Sequence, residues 1–114
     1  MNIVLIIPAR LNSDRLKHKV IMPLLKLPMI EHVRRRAAIS KVFKKIYIAT
    51  QDNKIIDLIK KNKGYIIKTK NIHRSGTSRV GEAVKKVQCS HVAVLFADEP
   101  LINPLANIKV YLLC

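Results

Sequence analysis

The chain has no tryptophan, three glycines, two cysteines and an aromatic content of 4% over 114 residues. Each scarcity excludes something. Three glycines against five prolines, with 49% hydrophobic residues, is neither a collagen-like composition nor that of an intrinsically disordered chain. Cys89 and Cys114 have neither Cys-x-x-Cys nor zinc-type spacing, so a disulfide scaffold is excluded and both read as small buried or free thiols. So few aromatics leave little to stack on the bases of a single strand. The longest apolar run near the start, residues 3–7, is too short to span a bilayer, and no cationic segment precedes it as in a secretory signal. These absences predict a soluble, cytoplasmic chain with no membrane partner. His18, His32, His73 and His91 show no ligand spacing and read as exposed or packing residues.

Acidic residues are scarce as well. Lys and Arg number 22 against 7 Asp and Glu, a net charge of +15. Clusters at Arg34-Arg35-Arg36, Lys44-Lys45 and Lys60-Lys61 have the pattern of a polyanion-binding surface. Lysines on solvated helix faces account for most of the excess, so nucleic acid ranks as an alternative partner and not the first. The length of residues 1–114 suits one small domain, or part of a larger one, and is enough to bury a core.

What is present is an alternation of short apolar runs with amphipathic segments. Residues 2–7, ended by Pro8, form a β-branched run typical of a parallel strand buried on both faces. From Pro28, Met29, Ile30, Val33 and Ala37 line one face of a helix whose other face carries the arginines. Residues 45–50 read as a second strand. Asp52 is placed to cap a helix through Asn62, with Ile55, Ile56 and Ile59 inward and Gly64 ending it in a left-handed conformation. Residues 65–68 form a short strand. After a polar loop over residues 69–77, Val80, Ala83, Val84 and Val87 have the spacing of a third helix, residues 91–96 form a fourth strand, and Asn103-Pro104 opens a last helix. Tyr47, Tyr65 and Tyr111 read as core or edge packing. The alternation predicts an α/β fold of three layers around a mostly parallel sheet, with ligands at the carboxyl edge of the strands.

The connection from Pro8 to Pro28 exceeds an ordinary βα loop and carries Arg10, Arg15, Lys17 and Lys19 away from the first strand. Fixed cations at that edge predict an anion site, although without glycine the loop is not a P-loop. Ile7-Pro8-Ala9-Arg10, then Ser13-x-Arg15-Leu16-x-x-Lys19, then Pro28-Met29-Ile30-x-His32-Val33 resembles the opening of the 3-deoxy-manno-octulosonate cytidylyltransferases, the CMP-Kdo synthetases. Ser75-Gly76-Thr77-Ser78-Arg79 and Asp98-Glu99-Pro100 are similar to two further motifs of that family, in the same order.

The resemblance implies a Rossmann-like nucleotidyltransferase. Its reaction is attack of the acidic sugar 3-deoxy-manno-octulosonate (Kdo) on the α-phosphorus of CTP, giving CMP-Kdo and pyrophosphate with Mg²⁺, a step of lipopolysaccharide biosynthesis. By the same matching, Arg10 and Lys19 are the catalytic cations on the triphosphate and Arg15 supports the phosphates. Ser75, Gly76 and Arg79 line the nucleotide or sugar pocket, and Asp98 ligates Mg²⁺. In-line transfer asks chiefly for such cations and a metal carboxylate.

Several positions depart from the family pattern. Lys17-His18 stands for Pro-Gly, Lys26-Leu27 for Gly-Lys, Ser78 for an acidic residue and Phe96-Ala97 for Gln-Gly. A phenylalanine cannot make the hydrogen bonds of the amide it replaces, which leaves a different acidic sugar open, such as a relative of sialic acid. Family members also continue into a second half with another metal aspartate and dimer contacts. The expectation is therefore an incomplete domain, prone to form a homodimer or to self-associate, and weakly active or inactive alone. A catalytically dead nucleotide-binding remnant and a basic nucleic-acid-binding module remain the competing readings, and whether the chain alone is an enzyme stays open.

Overall fold

The computed structural model describes residues 3–10, 23–24, 27–70, 76–88, 90–95 and 109–112. Its strands and helices, in order, are β1 (Ile3–Pro8), β2 (Pro23–Leu24), β3 (Leu27–Pro28), α1 (Met29–Ile39), β4 (Lys45–Thr50), α2 (Asn53–Lys61), β5 (Tyr65–Lys68), α3 (Gly76–Val84), β6 (His91–Val94) and β7 (Lys109–Leu112). The main sheet runs β5-β4-β1-β6-β7. Its first four strands are mutually parallel and β7 lies antiparallel to β6. The first strand is central because its sequence lets it be: Val4, Leu5, Ile6 and Ile7 are all buried, so neither face needs water.

Side-chain alternation divides the core into two layers. Leu5, Ile7, Ile48, Ala93 and Leu95 face α1 and α2, meeting Ile30, Val33, Ala37, Ile55 and Ile59. Val4, Ile6, Ala49, Ile67, Val92 and Val94 face the other way onto Val80 and Ala83 of α3. The three-layer α/β sandwich expected from the alternation is thus present. Each buried Ile, Leu or Val contributes about 1.5–3 kcal/mol, so the five-strand order is held mainly by this period-two pattern.

Local details differ from the sequence reading in ways with physical causes. Pro28 is the N-cap of α1 and not its first residue. Asp52 occupies the N-cap of α2 without a side-chain capping bond. The left-handed residue after α2 is Lys63 (φ 65°), and Gly64 has no positive φ. Lys63 N–H donates to the Lys60 carbonyl (3.0 Å) and Gly64 N–H to the Ile59 carbonyl (2.8 Å), the paired bonds of a Schellman turn with lysine at C′. Glycine is needed one place later because a Cβ on Gly64 would stand 2.6 Å from Ile59 Cγ2 and 3.1 Å from Arg34 Nε. Helix α3 begins at Gly76, inside the stretch read as loop, and stops at Val84, so Val87 packs against the core from outside the helix. The long connection after β1 contains the small antiparallel pair β2–β3. The start of the last predicted helix at Asn103-Pro104 lies outside the described residues, and residues 109–112 are strand β7.

The arginine cluster of α1 also departs from a solvated face. Glu31 is fully buried, and both its oxygens accept from Arg34 (Nε to Oε1, 2.7 Å; Nη2 to Oε2, 2.9 Å), with Arg35 Nε adding a third bond at 2.8 Å. Arg34 Nη2 donates on to the Asn62 carbonyl and Arg35 Nη2 to Asn62 Oδ1, each at 3.1 Å. Two of the three arginines therefore clasp the middle of α1 to the C-terminal end of α2.

Candidate functional site

Each parallel strand delivers its following residues to one edge of the sheet. Ala9 N–H continues the ladder onto the Ala49 carbonyl (3.0 Å), and this fixes Arg10, half-buried, just beyond β1. Gln51 and Asp52 follow β4, and Asp52 N–H donates to Thr50 Oγ1 at 3.1 Å. Thr69 N–H bonds the Thr50 carbonyl (3.0 Å), which places Thr69 and Lys70 beyond β5. Leu95 N–H reaches the Ile6 carbonyl (3.2 Å) beyond β6. Helices α2 and α3 start from this edge, so the positive ends of their dipoles meet the same region, an arrangement favourable to anions.

Arg79, on the first turns of α3, is the buried cation of the edge. It is 2% exposed, and its Nη1 donates to Thr69 Oγ1 at 2.6 Å, with both terminal nitrogens near Gln51 Oε1 at 3.4–3.5 Å. Burial lowers its pKa; the positive charge of Arg10 pushes the same way, while Asp52 and Glu82 oppose both. The guanidinium therefore joins the segments after β4 and β5 across α3. One turn further along α3, Glu82 accepts from Lys70 N–H (3.0 and 3.3 Å) and pairs with Lys86 Nζ (3.2 Å), which also donates to the Lys68 carbonyl (2.7 Å). The start of the stretch after β5 is thus pinned to α3 at two successive residues.

Of the sequence-predicted site residues, Arg10 and Arg79 come together at the carboxyl edge, close enough for one charge to act on the other, and Gly76 opens α3 there. Arg15, Lys19, Ser75 and Asp98 lie outside the described residues. Gln51, Asp52 and Thr69 lie at the same edge, and no sequence motif marks them. Their signal was positional, since each immediately follows a strand at the edge where ligands are expected, and Asp52 drew attention only as a helix cap. Among the described residues no three of His, Cys, Asp and Glu gather into a metal site. No helix among them is long and apolar enough to cross a membrane.

A cytidylyltransferase family model matches residues 4–111. The 8-amino-3,8-dideoxy-manno-octulosonate cytidylyltransferase of Shewanella halifaxensis is 37% identical over all of this chain and 48% of its own length; that of Shewanella amazonensis is 38% identical over 93% of this chain and 44% of its own. A solved CMP-2-keto-3-deoxy-manno-octonic acid synthetase in complex with CTP is similar at a TM-score of 0.86 and 35% identity, over 93% of this chain and 44% of that one. A cytidylyltransferase from Leptospira borgpetersenii shares the fold (TM-score 0.78, 24% identity, 93% of this chain and 45% of that one). The chain spans about half the length of the curated relatives it matches.

Proposed function

Since the chain belongs to the cytidylyltransferase family, we propose that it is the nucleotide-binding half of an enzyme that transfers CMP from CTP to an acidic sugar of the 3-deoxy-manno-octulosonate type, with release of pyrophosphate. The observation that carries this reading is the similarity, over nearly the whole chain, to a synthetase solved with CTP. The names of the Shewanella relatives favour Kdo or its 8-amino form as acceptor over a sialic acid.

In this reading Arg10 is the fixed cation at the mouth of the site, and Arg15 and Lys19 join it on the triphosphate. Charge-assisted bonds to the outer phosphates hold the nucleotide and disperse the charge that develops on departing pyrophosphate. Arg79 does a different task. Being buried and engaged with Thr69 and Gln51, it is a positioning residue that holds the loops after β4 and β5 in register. Gly76 opens α3 at the same edge, and by its motif Ser75 joins it in lining the nucleotide or sugar pocket. The described residues alone do not make a magnesium site, so the Mg²⁺ assignment rests on Asp98 and its motif.

Calorimetric titration with CTP, ATP, GTP and UTP, with and without Mg²⁺, tests the nucleotide assignment. Preference for CTP is expected, and equal binding of all four removes it. A pyrophosphate-release assay with CTP and either Kdo or 8-amino-Kdo tests the transfer; no or weak turnover is expected because positioning fails when a reactant is loosely held. Robust turnover by the chain alone would overturn the half-enzyme reading.

A further inference from the structure

In a sheet with right-handed crossovers the helices run against the strands, so α1 and α2 end at the edge opposite Arg10 and Arg79. The segments meeting there, residues 35–45 and 60–65, contain eight cations (Arg35, Arg36, Lys41, Lys44, Lys45, Lys60, Lys61 and Lys63) and no carboxylate of their own; Arg35 among them is paired with Glu31. They form one surface. Arg35 bonds the Asn62 side chain, Lys44 N–H bonds the Ile3 carbonyl at 2.7 Å, and Lys45 Nζ lies 5.1 Å above the Tyr65 ring, itself 5.9 Å from Tyr47. Both turns on this edge place a lysine in the left-handed conformation, Lys41 at φ 57° and Lys63 at φ 65°, where glycine is sterically cheaper. A cation is thereby kept at the tip of each turn against the local backbone preference.

Between these charges the chain exposes aliphatic surface. Ile39 is 75% exposed and Val42 58%, on either side of Ser40-Lys41, with Tyr65 at 53% nearby. A phosphodiester backbone would satisfy the lysines but offers nothing to Ile39 or Val42, and the face lacks the row of aromatics that stacks on bases. A bilayer with anionic headgroups satisfies both, taking cations at the headgroup and short aliphatic side chains at the acyl boundary.

We infer that this face docks peripherally on an anionic lipid surface, with the lysines on the headgroups, Ile39 and Val42 inserted, and the nucleotide edge turned to water. The expectation of no membrane partner rested on the lack of a spanning run, which does not bear on peripheral contact. The inference does not depend on the proposed transfer reaction.

Co-sedimentation of the chain with vesicles of phosphatidylglycerol and phosphatidylcholine, against phosphatidylcholine alone, provides the test. Binding only to the anionic vesicles and steep weakening with salt are expected. Lys41→Gln with Lys44→Gln should lower partitioning about 25-fold, about fivefold per cation. Ile39→Ser with Val42→Ser, at unchanged charge, should lower it about tenfold. Both pairs are exposed, and circular dichroism verifies that each variant keeps the fold. Absence of anionic-vesicle binding, or binding indifferent to the serine pair and matched in strength by duplex DNA, would overturn the inference.

Discussion

Replacing Glu31 by alanine should be among the most damaging single changes to the fold that touch no hydrophobic side chain. The carboxylate is fully buried and receives three charge-assisted bonds, two of them from Arg34, whose side chain is only 15% exposed. Removing it leaves a largely desolvated guanidinium holding on to the Asn62 carbonyl. Breaking such a pair from one side costs about 3–5 kcal/mol. In a domain of this size that corresponds to a fall in Tm of about 4–8 °C for each kcal/mol. Arg34→Ala should cost a similar amount, because it strands the buried carboxylate with Arg35 alone.

Arg35 supplies the contrast. Its side chain is 48% exposed, so the pair it makes is screened by water and Arg35→Ala should cost less than about 1 kcal/mol. The double variant Glu31→Met, Arg34→Met removes both charges together and should lie within about 2 kcal/mol of the parent, well short of the summed single effects. Urea unfolding followed by circular dichroism measures all four, with unchanged m values confirming that the same transition is compared. If Glu31→Ala and Arg35→Ala prove equally mild, or the double variant is additive, the buried clasp is not what ties α1 to α2.

Arg10→Ala should weaken CTP binding about tenfold in calorimetry while CMP, which lacks the outer phosphates, loses much less; equal losses for both would take Arg10 off the triphosphate. Arg79→Lys keeps a charge but cannot span Thr69 and Gln51 together, so it should destabilise the fold by about 1–3 kcal/mol and lower CTP affinity alongside, as read by urea unfolding and titration. Gly64→Ala forces a methyl against Ile59 Cγ2 and the Arg34 side chain and should cost about 1–3 kcal/mol in the same unfolding assay, whereas Gly81→Ala, with open space around it, should not destabilise.

The layers were legible in the sequence because their cause is periodic. The unbroken run in β1 and the spacing of Ile55, Ile56 and Ile59 each have one sensible burial, and the structure adopts it. Strand β7 and the pair β2–β3 were not legible. Pro23–Leu24 and Leu27–Pro28 are too short to show a period, and their pairing is a matter of chain reversal that local pattern does not encode. The turn after α2 was read half correctly. A glycine near a helix end signals a Schellman turn, but here the left-handed residue is Lys63, and the glycine beside it is required by its close approach to the Ile59 and Arg34 side chains. The same holds for Glu31, which looks like an ordinary first-turn acid until two arginines and the end of another helix close over it.

The sequence offers the candidate site as motifs and not as a division of labour. In the sequence Arg10 and Arg79 are two arginines in two family motifs, and both read as groups that meet the substrate. Their surroundings separate them. Arg10 stands half-buried past the end of β1, at the edge where a ligand is expected. Arg79 is buried and engaged within the protein: its hydration is replaced by Thr69 and Gln51, and Asp52 and Glu82 offset the cost of desolvating its charge. Recruiting Arg79 to a phosphate would mean first breaking the contact that holds the loops after β4 and β5 together. In the proposed reading Arg79 stays in place and its positive charge adds to that of Arg10, so the anion is attracted by both cations and touched by Arg10.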